Sequence, residues 1–398
     1  MVIDRSIKPT LDKIVAQFPV IALLGPRQSG KTTLAQLAFA NHTYISLEDL
    51  DVRAQALEDP REFLEFHKNS YGLILDEIQN VPTLLSYIQT QVDQERKPGY
   101  FVLTGSQNFL VNQSISQTLA GRVAIFTLLP LSISELRKGN LLPHNIEELV
   151  YKGCYPGLYA YHLDLPIWYS SYTLTYLERD VRQVATVKDL TTFQLFIKLC
   201  AGRVGQLLNV STLASDCGIN LKTAQGWLSL LQASYIIFLL QPHYKNFNKR
   251  LVKTPKLYFY DTGLACSLLG ITSVDQLKTH YMRGSLVESL IISNFFKEYY
   301  NKAQIPHLYF WRDNHGHEID CLVEQGGKLI PIEIKSGRTI ATDYFSELAY
   351  WSKLADTDPV NNYLVYAGIE GQKRKNGQVI SWKDSDAIIL QDSMFKPS

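Results

Sequence analysis

The segment GPRQSGKT at residues 25–32 constrains the fold of this chain more than any other, because it matches the phosphate-binding pattern G-x-x-x-x-G-K-[ST]. An apolar run at 18–24 precedes it, and a helical pattern at 32–40 follows it. A strand, a glycine-rich loop and a helix in this order allow backbone N–H groups and a helix N-terminus to surround phosphate groups. The sequence therefore predicts a binding site for ATP or GTP.

The positions of this loop have distinct expected roles. Lys31 is expected to reach the β- and γ-phosphates, and the hydroxyl of Thr32 is expected to bind Mg²⁺. Arg27 is expected to serve packing or the geometry of the loop. The predicted nucleotide-binding residues are Gly25, Pro26, Arg27, Gln28, Ser29, Gly30, Lys31, Thr32 and Thr33.

Composition describes a folded protein with enough length for two or three domains. The chain has 398 residues, of which 46% are hydrophobic and 19% are charged, so the size of the core is not limiting. Its net charge is +1, which means that affinity for nucleic acid would need a local basic patch.

The cysteines and the apolar runs indicate a cellular setting. The five cysteines are widely spaced and form no C-x-x-C pair, which argues against a zinc site and a disulfide framework. The start of the chain lacks the apolar core of a signal peptide, and the apolar stretch at 235–240 is too short to span a bilayer. We expect a soluble, cytoplasmic protein with no membrane contact.

The first third of the chain alternates between apolar segments and helical patterns. Apolar segments at 43–47, 72–75, 100–103 and 123–128 follow the loop, with helical stretches such as 81–91 between them. This alternation predicts an α/β fold with a parallel, doubly wound sheet.

Two acidic residues, Asp76 and Glu77, directly follow the apolar segment at 72–75. In a phosphate-binding fold, Asp76 is expected to hold Mg²⁺ through water, and Glu77 to polarise the attacking water. The alternative is a strand that ends in a solvated turn.

Polar residues after the segment at 100–103, and just before the segment at 123–128, are further candidates. Ser106 and Gln107 are expected to touch the γ-phosphate or the attacking water, or else to form a polar turn. Arg122 either acts as a finger on the nucleotide of a neighbouring subunit in a homo-oligomer or forms a local salt bridge.

The middle of the chain contains a helix, a turn at Gly218, a second helix capped by Asn220 and then a strand, which predicts a helix-turn-helix with a following wing. Residues 217–260 contain no acidic side chain. Such a region either contacts DNA phosphates or serves domain packing alone. Its basic residues are Lys222, Lys245, Lys249, Arg250, Lys253 and Lys256.

The last third predicts three strands at 308–312, 318–324 and 329–335 joined by turns. Strand alternation places Glu333 and Lys335 on one face, and a hairpin partner would bring Asp320 beside them. An Asp followed by Glu-x-Lys is the PD-(D/E)XK nuclease arrangement, in which two carboxylates hold Mg²⁺ or Mn²⁺ and the lysine orients water. Glu288, on an upstream helical pattern, would complete the metal site. The alternative is a surface meander with solvated charges.

Taken together, these residues resemble a prokaryotic family that joins an N-terminal AAA-type ATPase domain to a C-terminal domain of unknown function with a PD-(D/E)XK-like fold. The matching segments are GPRQSGKTT at 25–33, LILDEIQ at 73–79, LTGSQ at 103–107, LAGR at 119–122, YLERDV at 176–181, PKLYFYDTGLA at 255–265, RGSLVE at 283–288, WRDNHGHEIDCLVE at 311–324 and PIEIKSG at 331–337.

The resemblance implies ATP rather than GTP, bound with Mg²⁺ through Gly25, Gly30, Lys31, Thr32 and Asp76. It also implies that Glu77 is the catalytic base, that Arg122 is a finger, and that a winged-helix linker precedes the nuclease-like module.

The sequence thus predicts three parts: a P-loop ATPase domain over 1–135, a helical and winged-helix region over 136–270, and a PD-(D/E)XK-like α/β domain over 271–398. The favoured function is ATP hydrolysis by a DNA-associated protein whose nucleotide state controls the C-terminal domain. One alternative is an ATP-driven switch that binds a protein partner through an inactive nuclease fold. Another is an ATPase that uses DNA only as a platform.

Overall fold

Two β-sheets organise the computed structural model, which describes residues 2–106, 115, 117–177, 189–243 and 252–390. Within these residues, one sheet has five strands and the other has eight. None of the helices described in these ranges is long and apolar enough to cross a membrane.

The first sheet is entirely parallel, as the sequence predicted. Its strands lie in the order β2-β3-β4-β1-β5. They are β1 (Val20–Gly25), β2 (Thr43–Ser46), β3 (Leu73–Asp76), β4 (Phe101–Ser106) and β5 (Val123–Thr127). The described helices of this part are α1 (Lys8–Val15), α2 (Lys31–Ala38), α3 (Leu50–Glu58), α4 (Pro60–His67) and α5 (Leu84–Gln94).

Alternate residues of β1 face two different cores. Ile21 and Leu23 pack in one cluster with residues of α1 and α2, whereas Ala22 and Leu24 pack in another with residues of α4 and α5. Helices therefore cover both faces of the sheet, which explains why its central strands are buried, nearly continuous apolar runs.

The helix, turn and second helix expected around Gly218 are present at Val210–Asp216 and Leu221–Ala233, and the Asn220 side chain caps the second helix by accepting from the N–H of Thr223 (2.8 Å). The helices that lead up to and include them are α6 (Ile133–Lys138), α7 (Ile146–Lys152), α8 (Pro156–Ala160), α9 (Leu165–Tyr172), α10 (Leu190–Ala201), α11 (Val210–Asp216) and α12 (Leu221–Ala233). Two antiparallel strands follow, β6 (Ile237–Pro242) and β7 (Lys256–Phe259).

The predicted antiparallel strands of the last third form the centre of the second sheet. These strands are β8 (Leu308–Arg312), β9 (Glu318–Gln325) and β10 (Lys328–Lys335), and β10 pairs in parallel with β11 (Tyr363–Tyr366). Strand β13 (Gly377–Ser381) pairs in parallel with β11, and β12 (Gln372–Arg374) pairs with β13 at one edge of the sheet. The helices of this part are α13 (Thr262–Leu268), α14 (Val274–Thr279), α15 (Arg283–Asn301), α16 (Ser346–Ala355) and α17 (Ala387–Leu390).

The second sheet crosses residue 270, where the sequence placed a boundary. Strand β6 pairs in parallel with β8 through Gln241 opposite Tyr309 and Pro242 opposite Phe310, so the sheet order is β12-β13-β11-β10-β9-β8-β6-β7. Helix α15 packs on one face, where Ser289 Oγ donates to the carbonyl of Phe259 at 2.9 Å. Residues of α16 pack on the other face.

The buried carboxylate of Asp261, directly before α13, binds the segment that follows α7. Asp261 accepts from the N–H of Cys154 (2.6 Å) and from the hydroxyl of Tyr169 (2.8 Å). Gly153 lies against this group with φ of 72°, and a Cβ there would stand 2.0 Å from the Tyr169 hydroxyl.

We expect Gly153→Ala to lower the free energy of unfolding by about 3 kcal/mol, because it adds a clash with a buried hydrogen-bonded group to the strain of a backbone at φ 72° and ψ −168°, a region that is nearly restricted to glycine. Gly218→Ala is the matched control: φ is 65° there, but a Cβ would meet nothing within 4 Å. It should cost only about 1 kcal/mol. Equal losses for the two variants in urea unfolding would contradict this account of Asp261.

Candidate nucleotide site and C-terminal carboxylate cluster

The phosphate-binding loop leaves β1 and enters α2 through a backbone that favours glycine. Gly25 has φ of 155°, and a Cβ there would lie 2.2 Å from the carbonyl oxygen of Leu128. Gln28 and Gly30 also have positive φ, 63° and 91°. The close approach at Gly25 and the left-handed turn at Gly30 explain why the pattern has glycine at both positions.

Two basic side chains of the loop turn back onto the protein. The Nζ of Lys31 donates to the carbonyls of Gly25 (3.0 Å) and Pro26 (2.8 Å), and the side chain is buried. Arg27 is also buried, and its guanidinium lies 3.6 Å from a carboxylate oxygen of Glu48. Lys31 therefore bonds the backbone of its own loop, and Arg27 forms an ion pair with Glu48.

Asp76, at the end of β3, collects hydroxyl groups from three elements. It accepts from Thr32 (3.0 Å), from Tyr44 (2.8 Å) and, at short range, from Thr104. Burial and the neighbouring Asp76 carboxylate raise the pKa of Tyr44, so its hydroxyl remains a donor. The adjacent oxygens of Thr32 and Asp76 form a donor set that fits Mg²⁺, which prefers hard oxygen ligands.

Glu77 adopts a left-handed backbone with φ of 57°, which is unusual for a residue other than glycine. Its carboxylate accepts from the backbone N–H (3.1 Å) and the hydroxyl (3.2 Å) of Ser106, and from Gln79. Burial alone would raise the pKa of Glu77, but the charge of Lys31, the bond from Gln79 and the charge of Arg27 outweigh it and lower the pKa. The Glu77 carboxylate is therefore ionised at neutral pH, and hydrogen bonds from Ser106 and Gln79 fix its position.

Of the two polar residues expected near the end of β4, one lies among the described residues. Ser106 contacts Glu77, whereas Gln107 lies outside the described residues. Thr104, Gln79 and Tyr44 were not expected at this site. Strand alternation could have indicated Thr104, because it is two residues from Ser106 and shares its face. Tyr44 could not be found in this way, because it reaches the site through the pairing of β2 with β3.

Arg122 forms the local ion pair that the sequence left open. It donates to both carboxylate oxygens of Asp93 (2.6 and 2.9 Å) and to the carbonyl of Ala120. Its own carbonyl accepts from the N–H of Val20, at the start of β1. The loop leaves the other end of that strand, about 17 Å away at 3.3 Å per residue, so Arg122 does not face the loop of its own chain. A role toward a neighbouring subunit stays a prediction.

An arginine before α1 supports the loop, although the sequence did not suggest it. The guanidinium of Arg5 donates to the carbonyls of Ser29 (2.7 Å) and Leu129 (2.6 Å) and to the carboxylate of Glu135 (3.0 Å). The N–H of Ser6 also donates to Glu135 (2.7 Å), which is 1% exposed. One planar side chain thus joins the loop, the end of β5 and the start of α6.

The structure brings together the four residues that the sequence proposed for the C-terminal site. Lys335 Nζ donates to Glu333 (2.6 Å) and lies 4.0 Å from a carboxylate oxygen of Asp320. The N–H of Ile334 donates to Asp320 at 2.9 Å. Asp320 and Glu333 also interact electrostatically, and so do Asp320 and Glu288. These side chains come from β9, β10 and α15.

Lys256 is a correction to the predicted basic wing. It is 3% exposed, and it donates to Glu288 (3.2 Å) and at short range to Glu318. Tyr258, two residues along the same strand, donates its hydroxyl to Glu288. Because residues two apart on a strand share a face, both side chains of β7 point toward α15. Lys256 is therefore part of the carboxylate cluster and is not available to a DNA backbone.

The other basic residues predicted for the wing are either exposed or outside the described residues. Lys222 and Lys253 are exposed. Lys245, Lys249 and Arg250 lie outside the described residues.

Burial and charge crowding shift the pKa values of the cluster. Burial raises the pKa of Glu288 to about 7, with Lys256 opposing the shift and Asp320 adding to it. Burial and the charge of Asp320 hold the pKa of Glu333 well above its usual range. Burial would lower the pKa of Lys335, but Asp320 and Glu333 raise it. The cluster therefore holds more carboxyl groups than its lysines neutralise.

The arrangement of this cluster does not fit a metal ion. In the part of the chain that the structure describes, no group of three His, Cys, Asp or Glu side chains is placed to hold one. The ammonium groups of Lys256 and Lys335 lie among the carboxylates instead.

We expect Arg5→Lys to weaken nucleotide binding about tenfold, about 1.4 kcal/mol, because one ammonium group keeps a charge beside Glu135 but cannot bridge three acceptors. The check is the Kd for a fluorescent ATP analogue, with Lys8→Ala as the control because the Lys8 side chain pairs with nearby Asp12 at the surface. A Kd unchanged by Arg5→Lys would mean that this bridge does not position the loop.

Three families match consecutive parts of the chain. The family described as "AAA domain" matches residues 17–137. Two families described as domains of unknown function, DUF8612 and DUF4143, match residues 143–275 and 283–384.

Two solved structures illustrate how far the likeness extends. The Walker-type ATPase PABY2304 of Pyrococcus abyssi is 16% identical, with a TM-score of 0.46, over 67% of this chain and 96% of that one. The RuvB Holliday junction branch migration motor of Thermotoga maritima is 16% identical, with a TM-score of 0.30, over 58% of this chain and 86% of that one. At such scores neither likeness bears on function.

Two curated relatives match most of the chain. The uncharacterized proteins Rv2008c of Mycobacterium tuberculosis and Mb2031c of Mycobacterium bovis are each 30% identical over 339 residues, which are 84% of this chain and 74% of the relative. The chain belongs to the family of these mycobacterial proteins, and it is an AAA-type ATPase with two C-terminal domains of unknown function.

Proposed function

We propose that the chain hydrolyses ATP with Mg²⁺ in its N-terminal domain, and that the nucleotide state controls a nuclease-like C-terminal domain on DNA. The observation that carries the first part is the ionised Glu77 carboxylate, which Ser106 and Gln79 hold beside the phosphate-binding loop. The proposed parts are the ATPase domain over 1–135, the winged-helix region over 136–270 and the nuclease-like domain over 271–398.

Each residue of the nucleotide site has a role in this proposal. Lys31 binds the phosphates, for which its Nζ leaves the carbonyls of Gly25 and Pro26. Thr32 and Asp76 hold Mg²⁺, which neutralises phosphate charge when bound. Glu77 accepts a proton from the attacking water, a task for which its lowered pKa keeps it ionised.

The carboxyl-terminal fold supports the nuclease-like part of the proposal. A helix, three antiparallel strands, a second helix and a parallel strand follow in that order. Glu288, Asp320, Glu333 and Lys335 converge on this framework, the arrangement expected for PD-(D/E)XK proteins. Because the present arrangement does not fit a metal, we infer that it is the inactive state of the site and that Mg²⁺ or Mn²⁺ belongs to a different one.

A hydrogen-bonded path supports control by the nucleotide. Arg5 binds both the Ser29 carbonyl in the loop and Glu135 of α6. Helix α6 then binds α15, since the N–H of Ile133 donates to Asn294 at 2.8 Å. Because α15 carries Glu288, a movement of the loop has a route to the C-terminal site.

DNA association and assembly are the remaining parts of the proposal. The helices α11 and α12 and the hairpin of β6 and β7 have the order of a winged helix, with Lys222 and Lys253 exposed on them or next to them. A homo-oligomer in which Arg122 reaches a neighbouring nucleotide belongs to the same proposal.

The lysines in the carboxylate cluster favour a second candidate. With Lys256 and Lys335 paired to the carboxylates, the C-terminal domain would be a catalytically inactive surface. The chain would then be an ATP-driven switch that binds a protein partner.

The nucleotide site is tested by separating binding from hydrolysis. Lys31→Ala should abolish ATP binding, because the loop loses its only lysine. Glu77→Gln should keep the ATP Kd within about threefold and lower kcat about 10²–10⁴-fold, the usual contribution of a general base. Both are measured by ATP binding and phosphate release. A Glu77→Gln protein with the kcat of the parent would exclude Glu77 as the base.

The C-terminal site is tested by cleavage of plasmid and linear DNA with Mg²⁺ or Mn²⁺, with and without ATP. We expect cleavage that Lys335→Ala abolishes and that Lys328→Ala, an exposed change on the same strand, does not. ATP dependence of the cleavage would support coupling. A protein that hydrolyses ATP but cleaves neither DNA supports the switch candidate instead.

A further inference from the structure

A glutamine two residues after Glu77 closes a triangle of hydrogen bonds around the proposed base. Gln79 lies in a short 3₁₀ turn, Ile78–Asn80, and its Nε2 donates to the carboxylate of Glu77 and to Ser106 Oγ (3.0 Å). Ser106 Oγ in turn donates to the same carboxylate oxygen of Glu77 (3.2 Å). The Glu77 side chain is therefore bound from two elements, the turn after β3 and the end of β4.

The surroundings of the Gln79 amide allow one orientation. Its Oε1 is buried and has no hydrogen-bond partner among the described residues, which costs free energy. The reversed amide would place this oxygen against the Glu77 carboxylate, where two acceptors cannot bond. The side chain of Gln79 therefore presents its donor group to the proposed base and its oxygen to the protein.

Gly105, the residue before Ser106 on β4, leaves the space that this amide occupies. A Cβ at Gly105 would stand 2.7 Å from Gln79 Oε1, which is too close, whereas the next nearest side-chain atom of another residue, Ile78 Cγ2, would be 3.7 Å away. The backbone of Gly105 has no positive φ, so its conformation alone does not require glycine. The glycine of the segment LTGSQ at 103–107 thus has a steric reason, which is room for Gln79.

The backbone of Glu77 also needs support. Its left-handed conformation, with φ of 57°, is strained for a residue other than glycine and persists only where the surrounding structure holds it. Its N–H donates to Thr104 Oγ1 (3.4 Å), and its carbonyl accepts from the N–H of Asn80 (3.0 Å). The turn that contains Gln79 therefore binds both the backbone and the side chain of Glu77.

We propose that Gln79 and Gly105 are a positioning pair for the general base of ATP hydrolysis. Gly105 provides the space for the Gln79 amide, and the amide fixes the direction of the Glu77 carboxylate. Both residues act through Glu77 and not on the phosphates, so they determine the rate of hydrolysis and not the affinity for ATP. This inference rests on the proposed function, in which Glu77 is the base.

The first test compares ATP binding with phosphate release by the full chain. Gln79→Ala removes the amide and should lower kcat about tenfold or more, as expected for the loss of a hydrogen bond to a charged group. The Kd for ATP should stay within about twofold, because Lys31, Thr32 and Asp76 are unchanged. Gln79→Met, which keeps the length of the side chain without a donor group, should act in the same direction. Gln94→Met, the same change at an exposed position, should leave kcat unchanged.

Two double variants separate positioning from a general structural effect. Gly105→Ala alone should lower kcat, because the new methyl group displaces the Gln79 amide. When it is added to Gln79→Ala, kcat should change by less than about twofold, because the amide is already absent. Gln79→Ala should likewise have no further effect on kcat in a Glu77→Gln protein, because its effect passes through the Glu77 carboxylate.

Three results overturn the proposal. The first is a kcat of Gln79→Ala and Gln79→Met equal to that of the parent or higher, and the second is a loss of ATP binding in these variants. The third is a double variant in which the losses from Gly105→Ala and Gln79→Ala multiply, since independent structural defects would do so.

The failure of this inference is distinguishable from the failure of the proposed function. A Glu77→Gln protein with the kcat of the parent would refute Glu77 as the base, and the positioning pair with it. A slow Glu77→Gln protein beside a Gln79→Ala protein with the kcat of the parent would refute the positioning pair alone.

Discussion

Helix α15 is the element on which the rest of the arrangement depends. Thirteen of its nineteen residues are buried, and several of these are polar. Burying a polar group costs free energy unless it meets a partner, so the polar residues that are hydrogen-bonded to other segments fix the positions of those segments. Ser293 binds the carbonyl of Tyr260 (2.8 Å), Lys297 binds the carbonyl of Leu131 (3.2 Å), and Glu298 accepts from Ser134 (2.6 Å). Together with the bond from Ser289 to the carbonyl of Phe259 in β7, these contacts bind the helix to α6 and to β7.

Local patterns were sufficient for the parts of both sites that lie on single elements. The phosphate-binding loop, Asp76 and Glu77 follow from a strand, a loop and a helix in sequence. Asp320, Glu333 and Lys335 follow from the alternation of neighbouring antiparallel strands, where a two-residue turn fixes the register.

The missed residues depend on contacts between distant segments. Arg5 bonds groups 24, 124 and 130 residues away, and Tyr44 reaches Asp76 across a parallel strand pair. Lys256 was misread because charge density along the chain indicates a solvated surface, whereas the pairing of β6 with β8 turns this lysine inward. Such placements come from tertiary packing, which overrides local pattern.

Linkage limits how a nucleotide can act on the C-terminal carboxylate cluster. A ligand shifts an equilibrium only by its difference in affinity for the two states, so the proposed control by ATP requires two arrangements of α15 to which the nucleotide binds unequally. The contact that can create this difference is the Ser29 carbonyl, which belongs to the loop and accepts from Arg5. Two hydrogen bonds connect Arg5 to helix α15: Arg5 bonds Glu135 of α6, and Ile133 of α6 bonds Asn294 of α15. Since packed cores shift between discrete arrangements rather than deform continuously, the proposed coupling requires that a displacement of the loop move Arg5, α6 and α15 together as one unit.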